Sequence, residues 1–101
     1  MQVFYEPKAE KFIARLDDHA FSRVSKVIDL LERHGHTLGL PHSRHLGGGL
    51  LELRVLGVPQ FRLFFVFEKG NVRVLHAIMK KTSRIPSKEV EYARKIMKHL
   101  D

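Results

Sequence analysis

The sequence predicts an α+β fold in the order β-α-α-β-β-β-α, a small, mainly antiparallel sheet packed by two N-terminal helices and a C-terminal one. Three observations predict it. Apolar residues recur at helical spacing between positions 9 and 31, and three runs of apolar and aromatic residues lie between 50 and 80 with short glycine-containing turns between them. A third helical stripe then follows Pro86. At 101 residues the chain is expected to form a single domain over 1–101, because this length supports one hydrophobic core.

The opening stretch Gln2 to Tyr5 reads as a strand ended by Pro7, which also suits the first turn of a helix. From Lys8 the residues Ala9, Phe12, Ile13 and Leu16 form one helical stripe, and Asp17 and Asp18 are candidate N-caps for the next helix. That second helix carries the stripe Phe21, Val24, Val27, Ile28 and Leu31 and stops at Gly35, a C-cap residue. Both helices read as scaffold. The segment His36 to Gly49, with Gly39, Pro41 and the glycine triplet 47–49, reads as a cationic loop.

The three runs near Leu50 to Leu56, Gln60 to Glu68 and Val72 to Lys80 form a predicted meander. In the middle run every residue from Phe61 to Phe67 is apolar except Arg62, so a buried central strand is expected to contain one arginine. The closing helix presents Val90, Ala93, Met97 and Leu100 on one side.

Charge is unevenly placed. Residues 1–41 carry six Lys/Arg and six Asp/Glu, whereas residues 42–101 carry twelve and five, which accounts for the whole net charge of +7. A basic half joined to a neutral half points to one surface that meets phosphates and another that supports it. The chain has no cysteine, which excludes disulfides and thiolate metal sites. No signal-peptide pattern is evident at the start, and no apolar run approaches the roughly 20 residues that span a bilayer, so a cytoplasmic protein without membrane association is expected.

Several cations sit where strands are otherwise apolar: Arg54, Arg62, and Lys80 with Lys81 at the end of the last strand. Burying such a group is costly without a compensating anion. That anion is either internal, Glu52 or Glu68, or an external phosphate held by guanidinium forks. A two-residue turn between the first two of these strands puts Arg54 and Arg62 on opposite faces of the sheet, and one extra residue or a bulge, which Gly57-Val58-Pro59 permits, puts them together. Alternation alone leaves both arrangements open.

Other chemistries are poorly supported. The seven histidines lack helical metal-ligand spacing with a neighbouring carboxylate, so no metal and no cofactor are expected. The glycine triplet 47–49 lacks both the phosphate-loop and the dinucleotide patterns, and there is no nucleophile-elbow serine motif.

The stretch Leu40-Pro41-His42-Ser43-Arg44-His45-Leu46-Gly47, then Leu51-Glu52-Leu53-Arg54, Phe61-Arg62, and Lys80-Lys81-Thr82 ahead of Pro86, resembles the phage-related HigB branch of the RelE/ParE toxin superfamily over nearly the whole chain. The resemblance implies the toxin of a type II toxin-antitoxin system, a metal-independent endoribonuclease that cleaves mRNA, often on the ribosome, through attack of a ribose 2′-OH on the adjacent phosphate. It also implies a HigA-like helix-turn-helix antitoxin partner, with operator DNA bound only through the complex.

By position, the resemblance makes Arg62 the residue that grips the scissile phosphate, and adds Arg54, Lys80 and Lys81 to the catalytic candidates. Glu52 is a candidate base or the ion-pair partner of Arg54, and His76 a candidate acid or base or a satisfied core histidine. Arg44, His45, Arg73, Thr82 and Arg84 are candidate RNA contacts or ordinary surface residues. The lysines that RelE-type toxins place on the first meander strand are missing, since Leu50 and Glu52 occupy that region. Alternatives are a ParE-like, non-catalytic inhibitor of DNA gyrase and a regulatory RNA-binding module.

Overall fold

A computed structural model describes residues 1–100. The elements run β1 (Val3–Tyr5), α1 (Pro7–Ala14), α2 (Asp18–His34), a 3-10 turn (Gly35–Thr37), β2 (Ser43–Gly47), β3 (Leu50–Val55), β4 (Gln60–Glu68), β5 (Asn71–Lys80) and α3 (Ser87–Lys98). The expected elements are present. There is one additional strand, β2, in the segment read as a loop. It escapes sequence reading because Ser43-Arg44-His45 has no apolar alternation, and its order comes from antiparallel pairing with β3.

The five strands lie in the order β1-β5-β4-β3-β2, with β1 parallel to β5 and every other pair antiparallel. Pro7 opens α1, and the Asp17 carboxylate caps α2 by accepting a hydrogen bond from the Ala20 amide at 2.8 Å. Gly35 ends α2 at a φ of 51°, a conformation that disfavours a side chain.

Alternation divides the sheet into two unlike faces. Leu51, Leu53, Val55, Phe61, Leu63 and Phe65 point toward α1 and α2 and form the main core with Ile13, Val24, Ile28 and Leu31. Leu50, Phe64, Val66 and Leu75 point the other way, into a smaller core under α3 around Ala93. A bulge opposite Phe64 and Phe65 adds Leu75 to β5, so that Leu75 joins this second core beside His76. One helix cannot cover a five-stranded face. The part left open, beside β2, β3 and the end of β5, is where the charged residues of the strands emerge.

Two arginines brace the strand connections. Arg23 of α2 donates from one Nη to the carbonyls of Leu56 and Pro59 at 2.6 and 2.7 Å, fixing the β3–β4 loop. Gly57 sits under that guanidinium with a φ of 113°, and a Cβ there would lie 2.6 Å from it. Arg94 of α3 donates to the carbonyls of Gly47 and Leu46 at 3.0 and 2.8 Å, tying the β2–β3 turn to the helix.

Phe21 departs from expectation. It belongs to the apolar stripe of α2 but is 45% exposed, at the edge of a groove between α1 and α2.

Candidate active site

Register decides whether the strand arginines converge. Directly opposed residues of an antiparallel pair share a face, and the connection over 56–60 sets Val55 against Phe61 and Arg54 against Arg62. The β3–β4 ladder has no bulge, so the length of this braced loop alone brings the two arginines together. The same rule places Arg44 of β2 opposite Glu52 of β3, and Lys80 of β5 opposite Gln60 of β4.

Glu52 is the centre of the arrangement. Its side chain is 3% exposed, and its carboxylate faces Arg44, Arg54 and Arg62 through their Nε atoms at 3.7, 3.6 and 3.7 Å. Arg62 is as deeply buried as Glu52, whereas Arg54 is partly and Arg44 largely exposed. Burial lowers the pKa of Arg62 below the ordinary arginine value. Glu52 opposes that shift, and the charges of Arg54 and Arg44 add to it. One Nη of Arg62 donates to the Phe61 carbonyl at 3.2 Å, and the Nε of Arg54 is buried without a hydrogen-bond partner.

The result is a cleft lined by these arginines, by Lys80 and Arg84, and by Ile85 of the turn before α3 and Val90 of α3 itself. Its volume is about 350 Å³. Five cations and one carboxylate line the cleft, which therefore carries a net charge of about +4 and suits a polyanion. Three of the guanidiniums pair with Glu52, which gathers their charge at one point of the cleft.

The other candidates lie apart from this cluster. His76 lines a groove between α1 and α3, its Nε2 2.9 Å from Glu89 and its ring stacked on Phe64 and edge-on to Tyr92. There it ties α3 to the sheet. Arg73 is satisfied near β1, at 2.9 Å from Glu68 and 3.3 Å from Glu6, and its guanidinium lies over the Phe4 ring. The hydrogen bond that Arg73 donates to Glu68 raises its pKa above the usual arginine value. Lys81 and Thr82 line a neighbouring depression with Phe12 and Met79, and the Thr82 hydroxyl donates to the Arg84 carbonyl, holding the turn that carries Arg84. His45 is opposed to Leu51 and so leaves β2 on the face opposite Arg44.

Sequence reading passed over Ser83, Ile85, Val90 and Leu46 as cleft residues. The turn over 81–86 brings in Ser83 and Ile85, β2 supplies Leu46 and α3 supplies Val90, and nothing in their spacing signals it. It also passed over Lys8, Lys11 and Arg15, which belong to the half with no net charge. They line depressions beside Phe12, and those depressions adjoin Lys80, Lys81 and Lys88. Among the described residues no group of three or more His, Asp or Glu is placed to hold a metal, and no helix is long and apolar enough to cross a membrane.

A sheet of this order, with two helices on one face and a cationic cleft beside a single helix on the other, is the RelE-like α+β fold. The isolated RelE toxin of E. coli superposes with a TM-score of 0.67 at 15% sequence identity, over 89% of this chain and 95% of that one. A chain of the heterotetrameric YoeB–YefM toxin–antitoxin complex from Staphylococcus aureus gives 0.58 at 16% identity, over 81% of this chain and 97% of that one. No curated protein matches the sequence. The chain belongs to the family described as Phage derived protein Gp49-like (DUF891), whose model matches residues 11–98.

Proposed function

We propose that this protein is a HigB-like toxin of a type II toxin-antitoxin system, a metal-independent endoribonuclease acting on mRNA in the cytoplasm, on the ribosome. The observation that carries the reading is the cleft on the uncovered part of the sheet, in which Arg44, Arg54 and Arg62 pair with one buried carboxylate and Lys80 and Arg84 add to the lining. The fold shared with RelE and with the YoeB–YefM complex supports it.

In the proposed reaction a ribose 2′-oxygen attacks the adjacent phosphorus and gives up its proton. The bond from phosphorus to the 5′-oxygen breaks, that oxygen takes up a proton, and the products are a 2′,3′-cyclic phosphate and a 5′-OH end. The pentavalent intermediate gains negative charge on its non-bridging oxygens, which prepositioned guanidiniums stabilise. Arg54 and Arg62 take this role, with Lys80 and Arg84 gripping the strand. Glu52, in contact with three guanidiniums, positions them. The cations of Lys8, Lys11, Arg15, Lys81 and Lys88 extend the basic surface beyond the cleft.

Such a surface calls for a neutralising partner, and a HigA-like helix-turn-helix antitoxin fits, with operator DNA bound only through the complex. The test is induced expression of wild type, Arg62→Ala and the exposed-site variant Arg84→Ala in bacteria, with mapping of mRNA 5′ ends. Growth arrest with new 5′-OH ends, lost in Arg62→Ala and weakened in Arg84→Ala, is expected. Arrest without new ends would overturn the nuclease reading in favour of a gyrase inhibitor. No arrest, with RNA still bound by the purified protein, would leave a binding module.

A further inference from the structure

One groove away from the cleft has the opposite character. Between α1 and α2 lies a groove of about 290 Å³ whose apolar floor is formed by Ile13, Ile28 and the half-exposed ring of Phe21. Its walls carry Glu10, Asp29 and Glu32, and no lysine, arginine or histidine lines it. None of these three carboxylates forms an ion pair among the described residues, although the chain has 18 Lys/Arg. Tyr5, which also lines the groove, is half-buried, and the pKa of its hydroxyl is raised by burial and then by Glu32, Asp29 and Glu10.

An exposed phenylalanine in a groove of unpaired carboxylates is poorly explained by stability. Phe21 gains little from a position 45% open to water, and three like charges within one groove repel one another. Together they match the face of an amphipathic segment, with apolar side chains for the floor and cations for the walls. The net charge of +7 adds direction, since it repels a basic segment from most of the surface and leaves this groove as the attractive place.

We infer that the α1–α2 groove is a docking site for a Lys/Arg-flanked amphipathic segment of a partner protein. It shares no residue with the arginine cleft, so a partner held here leaves the cleft open and is a separate binding event from nucleic-acid binding. The inference goes beyond the nuclease reading and stands or falls without it.

The probe is a short helical peptide of leucine and lysine in amphipathic pattern, titrated into the isotope-labelled full chain, with a leucine/glutamate peptide of the same pattern as control. The leucine/lysine peptide is expected to shift the amide resonances of Tyr5, Ile13, Phe21 and Ile28 without shifting those of Arg54 or Arg62. Asp29→Lys with Glu32→Lys, both exposed and so compatible with folding, is expected to weaken binding about tenfold or more. Phe21→Ser should weaken it to a similar extent. Absence of binding, shifts centred elsewhere, or undiminished affinity in the charge-reversed variant would overturn the inference. So would self-association of the chain alone through Phe21, which would make a second copy the occupant.

Discussion

Replacing Glu52 by Gln would remove one negative charge and leave the volume almost unchanged, so it isolates the electrostatic role of the carboxylate. Of the three arginines it compensates, only Arg62 is buried to the same degree, with side chains 4% and 3% exposed and 3.7 Å between them. Stranding one member of such a buried pair costs about 3–5 kcal/mol. Arg54 and Arg44 are 31% and 54% exposed, so water screens most of their loss and each adds at most about 0.5 kcal/mol. The amide can still accept a hydrogen bond, which places the total near the lower end, about 3 kcal/mol.

For a domain of this size that loss lowers the melting temperature by about 15 °C. It lowers the urea midpoint by about 2 M, for a slope of about 1.5 kcal/mol/M. Urea unfolding followed by circular dichroism is the assay. A midpoint within about 0.5 M of wild type, with an unchanged slope, would refute the view that Glu52 compensates Arg62. The double replacement Glu52→Met with Arg62→Met removes both charges together and should recover most of the loss, since buried pairs exchanged for apolar residues are often neutral.

Gly57→Ala places a Cβ 2.6 Å from the Arg23 guanidinium at a φ of 113°, and should destabilise by about 2 kcal/mol or more, read by thermal unfolding. Arg54→Ala should lower the rate of RNA cleavage about a hundredfold, measured on a labelled oligonucleotide with the folded variant. Arg84→Ala should reduce the salt slope of RNA binding by about 0.7, with its circular dichroism unchanged.

Tyr5 ionises above its ordinary value of 10.0 in the folded state, chiefly because of burial, so the native state holds that proton more tightly than the unfolded chain. Its contribution to stability is therefore complete below pH 10 and is lost as pH rises through the folded pKa. Subtracting the phenolate absorbance titration of Tyr5→Phe from that of wild type should leave a component with its midpoint above 10. Asp17→Ala should cost about 1 kcal/mol through the lost cap of α2, visible in the urea midpoint.

Much of the fold is legible in the residues because local chemistry decides it. Pro7, Asp17 and Gly35 mark helix ends by their own conformational and hydrogen-bonding preferences, and Phe61 to Phe67 can only be a buried strand. The same logic singles out Arg62, since a lone guanidinium in such a run demands an anion, and Glu52 two residues from Arg54 is a ready source.

Tertiary structure decided the rest. Whether Arg54 and Arg62 share a face depends on one residue of offset in the 56–60 loop, which Arg23 fixes from a helix distant in sequence. The strand β2, and with it Arg44, exists through pairing with β3 and bracing by Arg94, neither of which leaves a pattern in residues 43–47. His76, a candidate acid or base, and Arg73, a candidate RNA contact, find partners in Glu89, Glu68 and Glu6. Within the half with no net charge the fold separates Lys8, Lys11 and Arg15, beside Phe12, from Glu10, Asp29 and Glu32, in the groove between α1 and α2. A sequence fixes which groups can form a site through local preference and the cost of burying charge. Which of them meet is set by register and packing, and those depend on contacts far apart along the chain.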